Sequence, residues 1–313
     1  MRLFFYPSFL AIVFCSGPVP ALASSFTYTT LTVPGIAGAI VTGINNAGEI
    51  AGYGGAGQIL QGFVFGGATL TTISAPSSAG TKAFGLNNTG DVVGSYAGPS
   101  GDQAFVYTGG VIHDISWPGF PSTPEANGVN DASQIVGDYN NGSSLQGFLY
   151  SSGTFTTISV AGSDSTKALG INNAGDIVGT YLDSAGVSHA FLYKAGVFGD
   201  IKIPGGAAFE ANGINNRGQI VGDVQGSGGI AGFLADNGGF TILSVPGADT
   251  TKALAINDAG QIVGTYIDAF GTLHSFLATP VSAVPEPAMP CAAGFLLLAS
   301  GVAWRRRFRP RRS

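Results

Sequence analysis

Five charged residues recur at one place in a repeated motif. Each of them lies five residues before an asparagine that begins a turn. Their charges alternate in sign along the chain: Lys82, Glu125, Lys167, Glu210 and Lys252. The sixth equivalent position is Ile40. If the repeats surround an axis, these side chains form a ring near the mouth of a central channel. Such a ring can seat a polar ligand or an ion. The favoured interpretation is a structural ring of ion pairs between neighbouring repeats, each worth ~0–1 kcal/mol when exposed.

Other residues that could do chemistry have simpler explanations. His189 and His274 occupy the same place in two repeats, which indicates copying rather than catalysis, and His113 stands alone. The turns at Asn130-Asp131, Asp183 and Asp268 offer oxygens to calcium, which needs ~6–8 of them converging on one point. No turn has three carboxylates, so a turn-forming role is favoured. The sequence therefore predicts no catalytic residue, no cofactor and no metal site.

The charged positions belong to a motif that is written six times. Its first asparagine falls at 45, 87, 130, 172, 215 and 257, a period of about 42 residues. A period of this size is typical of a propeller or a solenoid. Alternate copies are more similar in sequence: Thr-Lys precedes copies two, four and six, and Glu-Ala-Asn precedes copies three and five. The pattern indicates a double-blade unit copied three times.

The fourth copy shows what each repeat contains. Short alternating or β-branched runs at 167–171, 176–181, 189–193 and 197–203 are separated by turns rich in Asn, Gly and Ser. Tight turns between adjacent strands require antiparallel pairing, which disfavours the solenoid. Residues 24–283 are therefore predicted to form an all-β, six-bladed β-propeller of four-stranded antiparallel blades.

The last repeat lacks its fourth strand, and the missing piece stands at the beginning of the repeat region. Residues 26–35 parallel residues 240–247 in sequence. We therefore expect residues 26–33 to pair with the strand at 274–278, which closes the ring and covers an open sheet edge.

A ligand-binding face is predicted from the variation between copies. The between-blade and second-to-third-strand connections differ most, whereas the Asn-Asn-x-Gly turns on the opposite face are nearly uniform and look like plain hairpins. Loops that vary on a rigid scaffold commonly carry recognition. Trp117 and Phe120, in a segment that occurs once, are candidates for stacking on a sugar or for packing over a blade edge. The segment Asp268-Ala269-Phe270 also occurs once.

Both ends of the chain carry targeting features. Residues 1–23 have an apolar run and the small residues Ala21 and Ala23, which predict a signal peptide cleaved by signal peptidase before Ser24. A lipoprotein signal at Cys15 is disfavoured by the bulky Phe14 before it. Near the other end, residues 288–304 are uncharged and predict a short transmembrane helix, and the six arginines of 305–312 place the tail in the cytoplasm.

The segment before this helix reads Pro285-Glu286-Pro287. This tripeptide, the apolar helix and the terminal arginine cluster together resemble the PEP-CTERM sorting signal of Gram-negative bacteria, over residues 284–313. The resemblance implies recognition by an exosortase, passage through an inner-membrane-anchored intermediate, and delivery to the cell surface or extracellular matrix. The competing interpretation is a simple membrane-tethered protein with a Pro-rich linker.

The repeats resemble the bacterial extracellular HAF-type repeat family. The family's His-Ala-Phe appears as His189-Ala190-Phe191, and all six copies keep the phenylalanine. This resemblance implies an extracellular setting and brings no known chemistry.

Charge narrows the choice of partners. Residues 24–283 contain all but one of the 18 acidic residues but only six of the 13 basic ones. Such a surface argues against nucleic acid and anionic lipid. Two functions stay open: a non-enzymatic surface or matrix protein that binds polysaccharide or other surface proteins, and a propeller hydrolase or lyase that cleaves polysaccharide. The enzyme would need a carboxylate pair or a histidine unique to one or two blades, whereas these residues repeat with the blades.

Overall fold

The computed structural model of the protein describes residues 25–55, 59–99, 101–116, 124–203, 207–226 and 228–281. The predicted signal peptide, sorting motif and transmembrane helix lie outside these residues, as do Trp117 and Phe120. No helix long and apolar enough to cross a membrane occurs among the residues that are described.

In the described residues, twenty-four strands, numbered in chain order, form six four-stranded antiparallel sheets. Blade 1 contains β2 (Ile40–Ile44), β3 (Ile50–Gly54), β4 (Gln61–Gly66) and β5 (Thr69–Ile73). Blade 2 contains β6 (Thr81–Leu86), β7 (Val92–Gly98), β8 (Gly101–Thr108) and β9 (Val111–Ile115). Blade 3 contains β10 (Glu125–Val129), β11 (Ile135–Asn140), β12 (Leu145–Ser151) and β13 (Thr154–Ile158).

The second half of the chain repeats this arrangement. Blade 4 contains β14 (Ser165–Ile171), β15 (Ile177–Leu182), β16 (Ser188–Lys194) and β17 (Val197–Asp200). Blade 5 contains β18 (Ala207–Ile214), β19 (Ile220–Gly226), β20 (Gly229–Asp236) and β21 (Gly239–Leu243). Blade 6 contains β22 (Ala248–Ile256), β23 (Ile262–Asp268), β24 (Leu273–Pro280) and β1 (Phe26–Leu31). The first strands of successive blades contact one another around a central channel, so the predicted six-bladed propeller is confirmed.

Blade 6 is completed by the start of the chain, as the repeats predict. β1 pairs antiparallel with β24 in a register that joins Phe26 to Pro280 and Leu31 to Ser275. The pairing stops two residues earlier than the predicted 26–33, because Val33 is buried and begins a turn in which the Ile36 N–H donates to its carbonyl at 3.1 Å. The ring is therefore closed by backbone hydrogen bonds between residues about 250 positions apart.

Each blade contributes one fully buried phenylalanine from its third strand. These residues are Phe63, Phe105, Phe148, Phe191, Phe233 and Phe276. The second strand of each blade has a glycine opposite this phenyl ring, because a side chain there would have no room. A Cβ at Gly137 would overlap the Glu125 carbonyl oxygen and approach the Phe148 ring at 2.8 Å. The repeated apolar-apolar-Gly pattern of the second strand is therefore a packing requirement.

Small residues also bring the first strands close together. Five of the six blades have glycine at the same point of this strand, and the sixth has Ala255. A Cβ at Gly85 would lie 2.8 Å from the Asn127 carbonyl oxygen of the next blade. The central channel is consequently narrow, with a cavity of about 90 Å³ between the inner strands. This volume is large enough for water and well below the ~300–1,000 Å³ of small-molecule sites.

Candidate functional site

The propeller has two chemically different faces. We call the side of the first-to-second-strand turns the asparagine face. We call the opposite side the charged face, where the first strands begin and the second-to-third-strand loops and between-blade connections lie. The six aligned positions of the sequence pattern all lie on the first strand of a blade, between its first and fifth residues, and all are half-buried: Ile40, Lys82, Glu125, Lys167, Glu210 and Lys252.

The lysines of this ring pair with residues that the sequence pattern did not single out. Lys252 Nζ lies 3.5 Å from Asp223 Oδ2, and Lys167 Nζ lies 4.0 Å from Asp138 Oδ2. Both aspartates are on the second strand of the preceding blade. Ion pairs between blades are therefore present, but they are not those of the predicted ring: the acidic partners are Asp138 and Asp223 rather than Glu125 and Glu210.

In blade 1 an aromatic residue takes the place of the aspartate. Lys82 Nζ lies 5.7 Å from the centre of the Tyr53 ring, a distance at which a cation is attracted to the aromatic face. The three lysines thus occupy equivalent places at alternate blade interfaces, with two carboxylates and one aromatic ring as partners.

The two aspartates are buried, and their protonation differs from that of surface carboxylates. Asp223 is fully buried, and burial raises its pKa to about 7 despite the attraction of Lys252, with Glu210 adding repulsion. Its Oδ1 accepts the Ala253 N–H at 3.1 Å, whereas Oδ2 has no hydrogen bond, because Lys252 meets it as an ion pair only.

Asp138 lies in a similar place on blade 3. Its Oδ1 accepts a hydrogen bond from Asn127 Nδ2 at 3.0 Å, and burial raises its pKa to about 6. The same Asn127 nitrogen donates to the Ala168 carbonyl of blade 4 at 3.1 Å. The signal for these two sites in the sequence is the segment Ile-Val-Gly-Asp, which appears at 135–138 and again at 220–223.

The asparagine face carries a closed ring of hydrogen bonds. The first asparagine of every motif is buried, and its Nδ2 donates to the backbone carbonyl of the equivalent asparagine in the next blade at 2.9–3.4 Å. The ring closes from Asn257 to Asn45. The Oδ1 of each asparagine also holds its own turn, as in Asn130, which accepts the Ala132 and Gln134 N–H groups.

A second ring lies outside the first. The next residue of each motif donates its backbone N–H to the Oδ1 of its counterpart in the following blade at 2.8–2.9 Å, and this ring also closes. Asp131 accepts further hydrogen bonds from Asn88 and Asn173, which outweigh its partial burial and lower its pKa. These turns are hairpins, as predicted, but they are not plain ones, because their side chains also bind the six blades together.

The oxygens considered for calcium are used within the fold. Asp131 belongs to the outer ring, and Asp183 and Asp268 each cap a loop. Within the described ranges, no three His, Cys, Asp or Glu side chains come together in a way that could hold a metal ion.

The two aligned histidines brace loops on the charged face. His189 Nε2 donates to Asp183 Oδ2 at 2.9 Å, and its ring stacks on Tyr181 with centroids 4.9 Å apart. His274 makes the same contacts with Asp268 and Tyr266 in blade 6. Both histidines therefore fix a connection between the second and third strands, while His113 lies exposed on β9.

A groove opens on the charged face between blades 5 and 6. Its volume is about 410 Å³, within the range of small-ligand sites. One wall is the glycine-rich loop of blade 5 at Gly226, Gly228 and Gly229, and the other includes Ala248 and Asp249 at the start of β22. The side chains of Ile242 and Asp249 are exposed, so the groove offers both an apolar surface and a hydrogen-bond acceptor.

No protein-family model and no curated protein matches the chain at a significant level. Solved structures resemble its fold. A triple arginine-to-alanine mutant of AofleA from Arthrobotrys oligospora is 13% identical, with a TM-score of 0.47 over 83% of this chain and 90% of that one. A mutant of the Aleuria aurantia lectin with alpha-methyl-L-fucoside is 12% identical, with a TM-score of 0.46 over 80% and 96%. TolB from Acinetobacter baumannii is 12% identical, with a TM-score of 0.46 over 77% and 63%.

Proposed function

We propose that the protein is an exported, non-enzymatic propeller that binds polysaccharide at the cell surface or in the extracellular matrix. The observation that carries this proposal is the difference between the two faces. The asparagine face repeats the same contacts in every blade and uses its polar groups to join blades. The charged face varies from blade to blade and has a groove of about 410 Å³ between blades 5 and 6.

Export and sorting form part of the proposal. Cleavage by signal peptidase before Ser24 would release residues 24–283 outside the inner membrane, with residues 288–304 as a temporary anchor. An exosortase would then recognise Pro285-Glu286-Pro287 and pass the propeller to the surface. The absence of cysteine between Cys15 and Cys291 means that the propeller relies on packing rather than disulfides in this oxidising setting.

A binding screen tests the function directly. The purified protein is passed over immobilised exopolysaccharides, and both retention and soluble cleavage products are measured. Retention without products supports the proposal. Absence of retention on every polysaccharide rejects it.

Sorting is tested in a host that has the exosortase. The intact mass of the mature protein should show loss of the arginine cluster of 305–312. The Glu286→Ala variant should keep that cluster and stay in the inner membrane. Full-length wild-type protein accumulating in the inner membrane would instead favour the simple membrane-tethered form.

One observation favours the alternative of a polysaccharide-cleaving enzyme. Asp138 and Asp223 have raised pKa values, as general acids do. However, they repeat at equivalent places in two blades, and Asp223 is fully buried behind Lys252. A substrate cannot reach a carboxylate in that position. Cleavage products that disappear in the Asp223→Asn variant would favour the enzyme.

A further inference from the structure

Phe270 is the most exposed large apolar side chain in the described part of the protein, at 93%. It lies at the tip of the loop between β23 and β24 on the charged face. Single exposed apolar residues are common and need no explanation by themselves. Phe270 differs because the loop that carries it is held by an unusually complete set of hydrogen bonds.

Asp268 organises this loop. Its Oδ1 accepts the backbone N–H groups of Phe270 and Thr272, both at 2.9 Å. Its own N–H donates to the Thr272 carbonyl at 3.0 Å, and its carbonyl accepts the Gly271 N–H at 2.9 Å. The remaining oxygen accepts a hydrogen bond from His274, which lowers the pKa of Asp268. The backbone that carries Phe270 is therefore fixed, and ordering the loop costs little when a ligand binds.

Blade 4 contains the same loop without the aromatic ring. Asp183 accepts the N–H groups of Ala185 and Val187 at 2.9 Å, and His189 braces it as His274 does in blade 6. Ala185 is the counterpart of Phe270. Since the loop is built equally well with alanine, the phenyl ring is not required by the fold.

The blade 6 loop stands beside the groove between blades 5 and 6. Asp268 pairs across the sheet with Ala248, which lines that groove. The exposed carboxylate of Asp249 is the next residue in the same wall. A ligand lying in the groove can therefore extend over the loop that carries Phe270.

We propose that Phe270 is a stacking platform for one neutral sugar ring of a glycan whose neighbouring units occupy the groove. The proposal rests on the polysaccharide-binding function proposed above. The ring is flanked by Ala269, Gly271 and Thr272, so the apolar surface matches one pyranose face. A protein partner is disfavoured, because a stable protein interface would need at least ~1,000 Å² of buried surface, far more than one phenyl ring provides. The acidic surface and Asp249 disfavour uronic acids and anionic lipid.

Binding of neutral hexasaccharides tests this inference. Cellohexaose, laminarihexaose and maltohexaose are titrated calorimetrically against the wild-type protein and the Phe270→Ala and Phe270→Tyr variants. Phe270→Ala should weaken binding roughly three- to tenfold, as loss of one aromatic stacking contact does. Phe270→Tyr keeps an aromatic face and should bind like the wild type. The midpoint of thermal unfolding should not change, because the side chain is exposed.

Val187→Ala is the matched control, because it removes an exposed apolar side chain from the equivalent braced loop of blade 4. Its affinity should equal that of the wild type. If wild type binds a hexasaccharide and Phe270→Ala binds it equally well, the role of Phe270 is wrong while the binding function stands. Equal losses in Phe270→Ala and Val187→Ala also overturn it. An oligogalacturonide or anionic vesicle bound more tightly than every neutral probe refutes the ligand class. If none of these probes binds, this inference fails, whereas the proposed function fails only if the polysaccharide screen also shows no retention.

Discussion

Replacing Asp223 with asparagine should stabilise the propeller above neutral pH and leave its stability at low pH unchanged. Asparagine keeps the shape of the carboxyl group and its acceptor for the Ala253 N–H, and it is neutral like the protonated acid. Above neutral pH the wild-type carboxylate, in contrast, is ionised although it is fully buried and its Oδ2 has no hydrogen bond.

The pKa sets the size and sign of the effect. Burial raises the pKa of Asp223 from 3.8 to about 7, and one pKa unit corresponds to ~1.4 kcal/mol. The folded protein therefore keeps a proton that the unfolded chain loses above about pH 4, so the free energy of unfolding falls as pH rises towards 7. Above that pH the charged form costs up to ~4 kcal/mol, which Asp223→Asn should remove.

Denaturant unfolding of both proteins at pH values from about 4 to 8 measures this difference. Other titrating groups are shared, so they cancel between wild type and variant. The gain should be near zero at pH 4 and grow until it levels off above pH 7. Asp138→Asn is the control, with a smaller gain of ~3 kcal/mol that levels off near pH 6 because the pKa of Asp138 is about 6. A gain independent of pH, or a variant less stable than wild type at pH 8, would refute the reasoning.

Three further predictions concern the packing of the blades. Gly179→Ala should lower the free energy of unfolding by ~3 kcal/mol in denaturant, because a Cβ would overlap the Lys167 carbonyl oxygen. Gly199→Ala should be nearly neutral, because the nearest atom to its Cβ is 3.9 Å away. Equal effects of the two variants would contradict this account. Asn130→Ala should lower the free energy of unfolding by ~2–3 kcal/mol, because it breaks the buried inner ring of hydrogen bonds. Asn173→Ala, in the exposed outer ring, should have a smaller effect. A larger effect of Asn173→Ala would be inconsistent with the burial of the two rings. Removing residues 25–31 should expose β24 and produce aggregates in size-exclusion chromatography; a stable monomer would show that β1 is dispensable.

The sequence was sufficient to predict the number of blades, their four antiparallel strands and the closure by the start of the repeat region, predicted at residues 26–33 and observed at 26–31. These features follow from local turn signals and a repeated period. The charged positions were also identified, because they recur at a constant distance from the motif asparagine. Their partners were not. The repeated Ile-Val-Gly-Asp segment marks Asp138 and Asp223, but it does not show that each is buried against a lysine of the next blade.

The same limit applies to the asparagines and to Phe270. A turn motif explains why an asparagine is present, but it does not reveal that Nδ2 reaches the next blade. Phe270 appeared in the sequence only as part of a segment that occurs once. Its significance depends on the brace made by Asp268 and His274 and on the nearby groove, both of which are properties of the folded chain.

The alternation of lysine partners around the ring has a consequence for how this protein can change in size. Each lysine comes from an even-numbered blade and meets Tyr53, Asp138 or Asp223 on the odd-numbered blade before it. Gain or loss of a single blade would put two blades of the same kind side by side, leaving either a buried aspartate without a cation or a lysine without its partner. Proteins that evolve from this one should therefore gain or lose repeats in pairs, in steps of about 85 residues. The number of blades then stays even.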